Sequence, residues 1–166
     1  MKFITTLILL LALLTFSAEA QTNEFYSAKQ ITVSASPTIS FPNGKADLYG
    51  VSVMTLYWQT DNTATGMELG KRDVTKATSG FVDHISIVEA YRIVPFKGPI
   101  SGRFALTAFT GAESWFDDGT KGVEIGVIQE VAVSKTWRIF GRASQHFETT
   151  QGKSGNELTI GITRVF

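Results

Sequence analysis

The sequence predicts an all-β protein, an eight-stranded antiparallel up-and-down transmembrane β-barrel that follows a cleaved signal peptide. Three observations carry this. The first twenty residues have the layout of an export signal. The remainder alternates apolar and polar side chains in segments of about ten residues, with no helical period. The last segment is strongly amphipathic and ends on Phe166.

In the signal, Lys2 supplies the positive start and the run from Phe3 to Phe16 is apolar apart from Thr5, Thr6 and Thr15. Ala18-Glu19-Ala20 is a small-x-small cleavage site. The apolar run falls short of the roughly 20 residues that cross a bilayer as a helix. Residues 1–20 are therefore expected to be removed, leaving 21–166 as one β-barrel domain. The chain has no cysteine, so an exported domain of this size must be held by an apolar core or by the membrane itself. Lys plus Arg and Asp plus Glu number 15 each, which gives no electrostatic case for a nucleic-acid partner.

Eight segments follow in order: 24–36, 46–59, 64–73, 81–96, 102–114, 121–134, 137–149 and 156–166. Turn-forming clusters such as Pro42-Asn43-Gly44, Asp61-Asn62, Lys97-Gly98-Pro99 and Asp117-Asp118-Gly119 separate them. In the sixth, Val123, Ile125, Val127, Val131 and Val133 share one face, and Gly122, Glu124, Gly126 and Glu130 the other. The second groups Tyr49, Val51, Val53 and Tyr57, while the third sets Met67 and Leu69 against Glu68 and Arg72. In the seventh, Arg138, Arg142, His146 and Glu148 lie opposite Trp137 and Ile139.

A soluble barrel or sandwich would bury the apolar face, whereas a membrane barrel turns it outward between two aromatic girdles. Aromatic spacing favours the membrane. Tyr49 and Tyr57 share a face about 26 Å apart along their strand, or about 20 Å along the axis at a tilt near 40°, close to the height of the apolar band. With Tyr91, Trp115 and Trp137, also near segment ends, they form the expected girdle. The charges favour it too. Glu68, Arg72, Glu124, Glu130, Arg138, Arg142, Glu148 and Glu157 project opposite the apolar residues and can pair within a closed lumen. Glycines on the same face leave room for these long side chains. One residue breaks the pattern. Glu89 falls on the apolar face of the fourth segment, where a charged carboxylate would cost on the order of a few kcal/mol. A β-bulge near Val88-Glu89-Ala90 is the expected remedy.

The end of the chain carries a resemblance. Leu158, Ile160, Ile162 and Phe166 alternate as in the closing strand of bacterial outer-membrane barrels, which ends in phenylalanine. With eight segments and no cysteine, the mature chain resembles the small eight-stranded barrels of the OmpA-transmembrane and OmpX type. The resemblance implies an outer-membrane location, outer-membrane lipid as surroundings and recognition of the closing strand by the barrel-assembly machinery. A monomer is expected. Arg164 departs from the pattern, standing where an aromatic or apolar residue is usual, and is expected to snorkel toward the headgroups.

Chemistry is sparse. His84 and Ser86 share a strand face, superficially like the His-x-Ser pair of a barrel enzyme that deacylates lipid A, but no acid is assignable to orient them. Two histidines and no cysteine argue against zinc, and Asp117-Asp118-Gly119 reads as a turn rather than a Ca²⁺ loop. No catalytic, cofactor or metal residue is therefore expected, and no enzyme. The expected role is structural, adhesion-type or that of a narrow pore. The alternatives are a periplasmic or secreted soluble β-barrel or sandwich that binds a small ligand, and an enzyme that modifies outer-membrane lipid.

Overall fold

The computed structural model describes residues 25–42, 48–71, 82–93, 101–116, 119–149 and 154–166. The signal segment, Arg72 and the pair Asp117-Asp118 lie outside these. Eight strands follow one another: β1 (Ile31–Pro42), β2 (Leu48–Trp58), β3 (Thr63–Lys71), β4 (His84–Ile93), β5 (Phe104–Trp115), β6 (Lys121–Ala132), β7 (Trp137–Glu148) and β8 (Ser154–Val165). Each pairs antiparallel with its neighbours in sequence, and β8 pairs with β1 to close the barrel.

Seven strands coincide with the expected segments to within a few residues. The first does not. It was expected at 24–36, yet β1 begins at Ile31 and continues through Pro37 to Pro42. The ladder from β1 to β8 passes from Ala35↔Ile162 to Thr38↔Thr159 without pairing Ser36 and Pro37. A proline without an N–H is tolerated there at the loss of these two pairings. Before Ile31 the chain stays tied to β2, Lys29 N–H donating to the Trp58 carbonyl at 2.7 Å and the Gln30 carbonyl accepting from the Trp58 N–H at 2.9 Å, and the residues ahead of them turn into the mouth of the barrel.

The stagger of the barrel can be followed rung by rung. Ile31 pairs with Tyr57, Tyr57 with Thr65, Thr65 with Glu89, Glu89 with Thr110, and Thr110 with Ile125. Ile125 then pairs with Gln145, Gln145 with Asn156, and Asn156 with Phe41. One circuit thus returns to β1 ten residues beyond Ile31. Ten residues at about 3.3 Å, set against eight strands about 4.8 Å apart, tilt the strands by about 40°. An eight-stranded barrel at that tilt leaves an interior that side chains can fill.

The two faces divide as the alternation requires. Outward-facing Val51, Val53, Ile87, Ile139, Leu158 and Ile160 are exposed, Ile160 to 73 %. Inward-facing Glu68, Ser86, Thr107, Glu124, Arg138 and Thr163 are each 1 % exposed. This is the reverse of a soluble barrel, in which apolar side chains fill the inside, so that alternative is overturned. Exposed aromatics ring the two ends. Tyr57, Tyr91, Trp137 and Phe166 stand near the mouth where the chain enters and leaves, and Phe116 and Phe147 near the other.

Trp115 is a correction. Expected in the girdle, it points inward, is 8 % exposed, and packs on His84 with ring centroids 4.4 Å apart. The position is the last of β5, and its parity matches inward Glu113 rather than outward Ser114. Of Tyr49 only the backbone is described, where it pairs with Ile39.

The fourth strand needs a second correction. No bulge occurs near Val88-Glu89-Ala90: the rungs Gly66↔Val88, Thr65↔Glu89 and Ala64↔Ala90 run on without a gap, as do those to β5. Glu89 therefore faces outward and is exposed.

Candidate functional site

Among the described residues charge gathers in the lumen, where it is layered along the barrel axis. An apolar layer was not expected there. Met54, Leu56, Val88, Ala90, Phe109, Ile128 and Phe140 pack as a buried cluster across the middle of the lumen toward the terminal mouth. The inward glycines explain how rings fit into so narrow a space. A methyl group on Gly126 would sit 2.6 Å from the Phe109 ring, and one on Gly161 2.7 Å from Phe140. Glycine here seats an aromatic ring from the neighbouring strand, whereas Gly122, near Glu113, leaves room for a carboxylate.

Above that layer, away from the termini, lies an acidic group organised by Arg142. Its Nη1 donates to both carboxylate oxygens of Glu68 at 2.7 Å. Its Nη2 donates to Glu124 and lies 3.7 Å from Glu157. His146 joins through Nδ1, 2.6 Å from Glu113 Oε1, while its Nε2 lies 3.2 Å from Glu157. Sequence parity places Glu68, Glu124, Arg142 and Glu157 on the inward face, and the structure brings them together from β3, β6, β7 and β8. Glu113 was missed. Its strand carries Phe109 and Trp115 inward as well as Phe104 and Leu106 outward, so neither face of β5 reads as polar. Among the described residues, Glu113, Glu124 and His146 form a donor set whose ligand atoms lie within 4.8 Å of one another. One histidine with two carboxylates suits a divalent cation, although His146 Nδ1 is already engaged by Glu113.

Below the apolar layer, at the terminal mouth, the balance is basic. Arg138 lies 3.7 Å from Glu130, and its Nη2 donates to the Phe25 carbonyl at 2.7 Å and to Gln30 Oε1 at 3.0 Å. Arg92, also missed in the sequence, is completely buried. Its guanidinium lies 3.1 Å from the centre of the Trp58 ring and 4.8 Å from that of Tyr26, a cation–π stack inside a closed space. Tyr26 completes the layer from the segment that precedes β1, donating its hydroxyl to the Arg103 carbonyl at 2.9 Å. Burial, reinforced by the nearby Glu130 carboxylate, pushes the Tyr26 phenol up from its ordinary range, so it remains a donor. Residues 25–30 thus stopper this mouth.

The other sequence candidates fall as follows. Glu148 is half-buried at the far end of β7, and Arg72 lies outside the described residues. His84 and Ser86 both point inward, but His84 Nδ1 lies 3.2 Å from Asp83 and its ring is stacked on Trp115. Leu158, Ile160, Ile162 and Phe166 all face outward and are exposed. Arg164 lies at the rim over Trp137, 4.8 Å from the ring centre, and donates to Thr136 Oγ1 at 3.3 Å.

A closed eight-stranded meander, apolar outside and charged within, is a transmembrane β-barrel. Solved structures of such barrels have the same fold. The N-terminal β-barrel domain of OprF from Pseudomonas aeruginosa aligns with a TM-score of 0.58 at 16% identity, over 84% of this chain and 99% of that one. Neisserial surface protein A (NspA) aligns at 0.52 and 13% identity, over 81% of this chain and 95% of that one. A de novo designed transmembrane β-barrel aligns at 0.59 and 11% identity, over 84% of this chain and 97% of that one. No family model and no curated protein matches the sequence.

Proposed function

We propose that this protein is an outer-membrane barrel with a closed lumen, serving a structural or adhesion-type role at the cell envelope rather than conducting solutes. The observation that carries this is the filling of the lumen: the Arg142 network, the apolar layer and the Tyr26–Arg92–Trp58 stopper follow one another along the axis. Eight strands at this tilt leave no further width. The apolar outer face supports insertion in a membrane, and the export signal with the Phe166-ended strand supports the outer one.

The experiment has two parts. The mature protein should fractionate with outer membranes and migrate differently on gels before and after boiling. In planar bilayers it should show no sustained current of porin size. A steady ohmic conductance would overturn the closed-lumen reading, and a mature protein soluble without detergent would overturn the membrane reading.

Asp83 supplies the acid beside His84 that the sequence did not reveal, but the barrel is read as non-catalytic because the buried Ser86 hydroxyl makes no hydrogen bond to His84 or to any other described residue. Lipid A acylation in cells that carry the wild type, His84→Ala or Ser86→Ala should be identical. A difference would revive the enzyme.

A further inference from the structure

Glu89 is the feature that a closed structural barrel leaves unexplained. It projects from the middle of β4 into the band that faces lipid, and the unbroken register rules out any local rearrangement that would turn it inward. Among the described residues it makes neither a hydrogen bond nor an ion pair. An ionisable side chain on such a surface is costly enough that it marks a binding site unless something else compensates it.

The surroundings are not those of an isolated misfit. Glu89 lies in an outward row between Thr65 of β3 and Thr110 of β5, and the next row toward the terminal mouth is Thr63, Tyr91 and Ala108. The small side chain of Ala108, beside Tyr91, leaves a dip in the outer wall. The resulting groove of about 620 Å³ has Gln59, Thr65, Glu89, Tyr91, Ala108 and Thr110 among its lining residues. Gln59, in the β2–β3 turn, donates to Thr65 Oγ1 at 3.0 Å and carries the polar track to the rim. Tyr91 is two residues nearer the mouth than Glu89, about 5 Å along the axis at this tilt. A glutamate side chain can cover that distance and so bring its carboxylate to the level of the aromatic girdle, where headgroups lie.

We propose that this groove over β3, β4 and β5 binds a phospholipid with a primary ammonium headgroup, of the phosphatidylethanolamine class. A compact –NH₃⁺ group offers three donors. Glu89 supplies the countercharge, hydroxyl oxygens of Thr65 and Thr110 flank it, and the Tyr91 ring offers a face to the cation. A quaternary choline headgroup has no N–H to donate, and an anionic headgroup would meet Glu89 with like charge. The proposal rests on the membrane reading. Altered gel mobility on boiling tests that reading separately, so the two can fail independently.

The test is native mass spectrometry of the refolded barrel, released from detergent micelles doped in turn with phosphatidylethanolamine, phosphatidylcholine or phosphatidylglycerol. The wild type should retain one phosphatidylethanolamine molecule at collision energies that strip the other two. Glu89→Gln should lower that preference by roughly tenfold, as expected for loss of one charge-assisted contact, with the shift on boiling intact. Thr110→Val should lower it less. Equal retention of all three lipids by the wild type, or an undiminished preference in Glu89→Gln, would overturn the proposal. So would a dimer that disappears on Glu89→Gln, because the groove would then hold a second copy of the chain.

Discussion

Arg142 shows how much of the lumen depends on single side chains. It is the only described guanidinium among four carboxylates, those of Glu68, Glu113, Glu124 and Glu157, and it contacts three of them directly. Arg142→Ala would leave those carboxylates facing one another out of water, and breaking a buried pair in this way costs about 3–5 kcal/mol. A corresponding fall in the urea midpoint of the refolded barrel is expected. Arg142→Lys should recover only part of it, because an ammonium cannot reproduce the forked geometry that binds Glu68 and Glu124 together. Glu89 carries the opposite expectation. Glu89→Leu removes a carboxylate from the lipid-facing band and should stabilise the inserted barrel by about 1–2 kcal/mol, read as a higher midpoint in the same titration, while abolishing the headgroup preference. Strand parity made Glu68, Glu124, Arg142 and Glu157 legible in the sequence, because their strands carry one apolar and one polar face. Trp115 was misread for a related reason: near a strand end, proximity to the rim says nothing about which way a side chain points, and only parity does.

At the level of the strand, the least legible element was β1. Pro37 and the polar run around it obscure its limits, since Thr32, Ser34, Ser36 and Thr38 all face the lumen as small hydroxyls. The partner strand β8 was the easiest to read, with Leu158, Ile160 and Ile162 in strict alternation. Their seam is closed at the rim by Phe166, whose N–H donates to the Ile31 carbonyl at 2.9 Å and whose carbonyl accepts from the Ile31 N–H at 3.2 Å. Deleting Phe166 removes both bonds, and membrane-inserted, heat-modifiable protein should fall accordingly; unimpaired assembly of the truncated chain would show that the terminal residue is dispensable. The glycines permit a paired comparison. Gly161→Ala should cost about 1–3 kcal/mol through overlap with Phe140 and the Ala35 carbonyl. Gly141→Ala, whose added methyl meets nothing within 4 Å, should leave the urea midpoint unchanged or raise it slightly. Equal effects at the two sites would argue against the ring-over-glycine packing.

For the molecule as a whole, strand number and fold class were written in the periodicity, and membrane insertion in the combination of periodicity with aromatic spacing. The layering of the lumen was not. A face that alternates with an apolar one is expected to be polar throughout, yet its central part is Met54, Leu56, Phe109, Ile128 and Phe140. Which inward residues meet across the barrel depends on the stagger, a property of all eight pairings together and of no single strand.

That stagger, and the seam that completes it, has a consequence for how the protein comes into being. The rungs joining Thr32 to Val165 and Pro42 to Gly155 link the first strand to the last, so the contact that removes the final pair of open edges spans almost the whole barrel sequence. Loop closure of that length is slow, and every intermediate before it exposes two unpaired strand edges able to recruit foreign strands. A nascent chain therefore has no partly finished barrel in which to wait. It becomes safe from aggregation only when its last strand arrives, which makes shielding those edges during transit as necessary to this protein as any contact in its finished form.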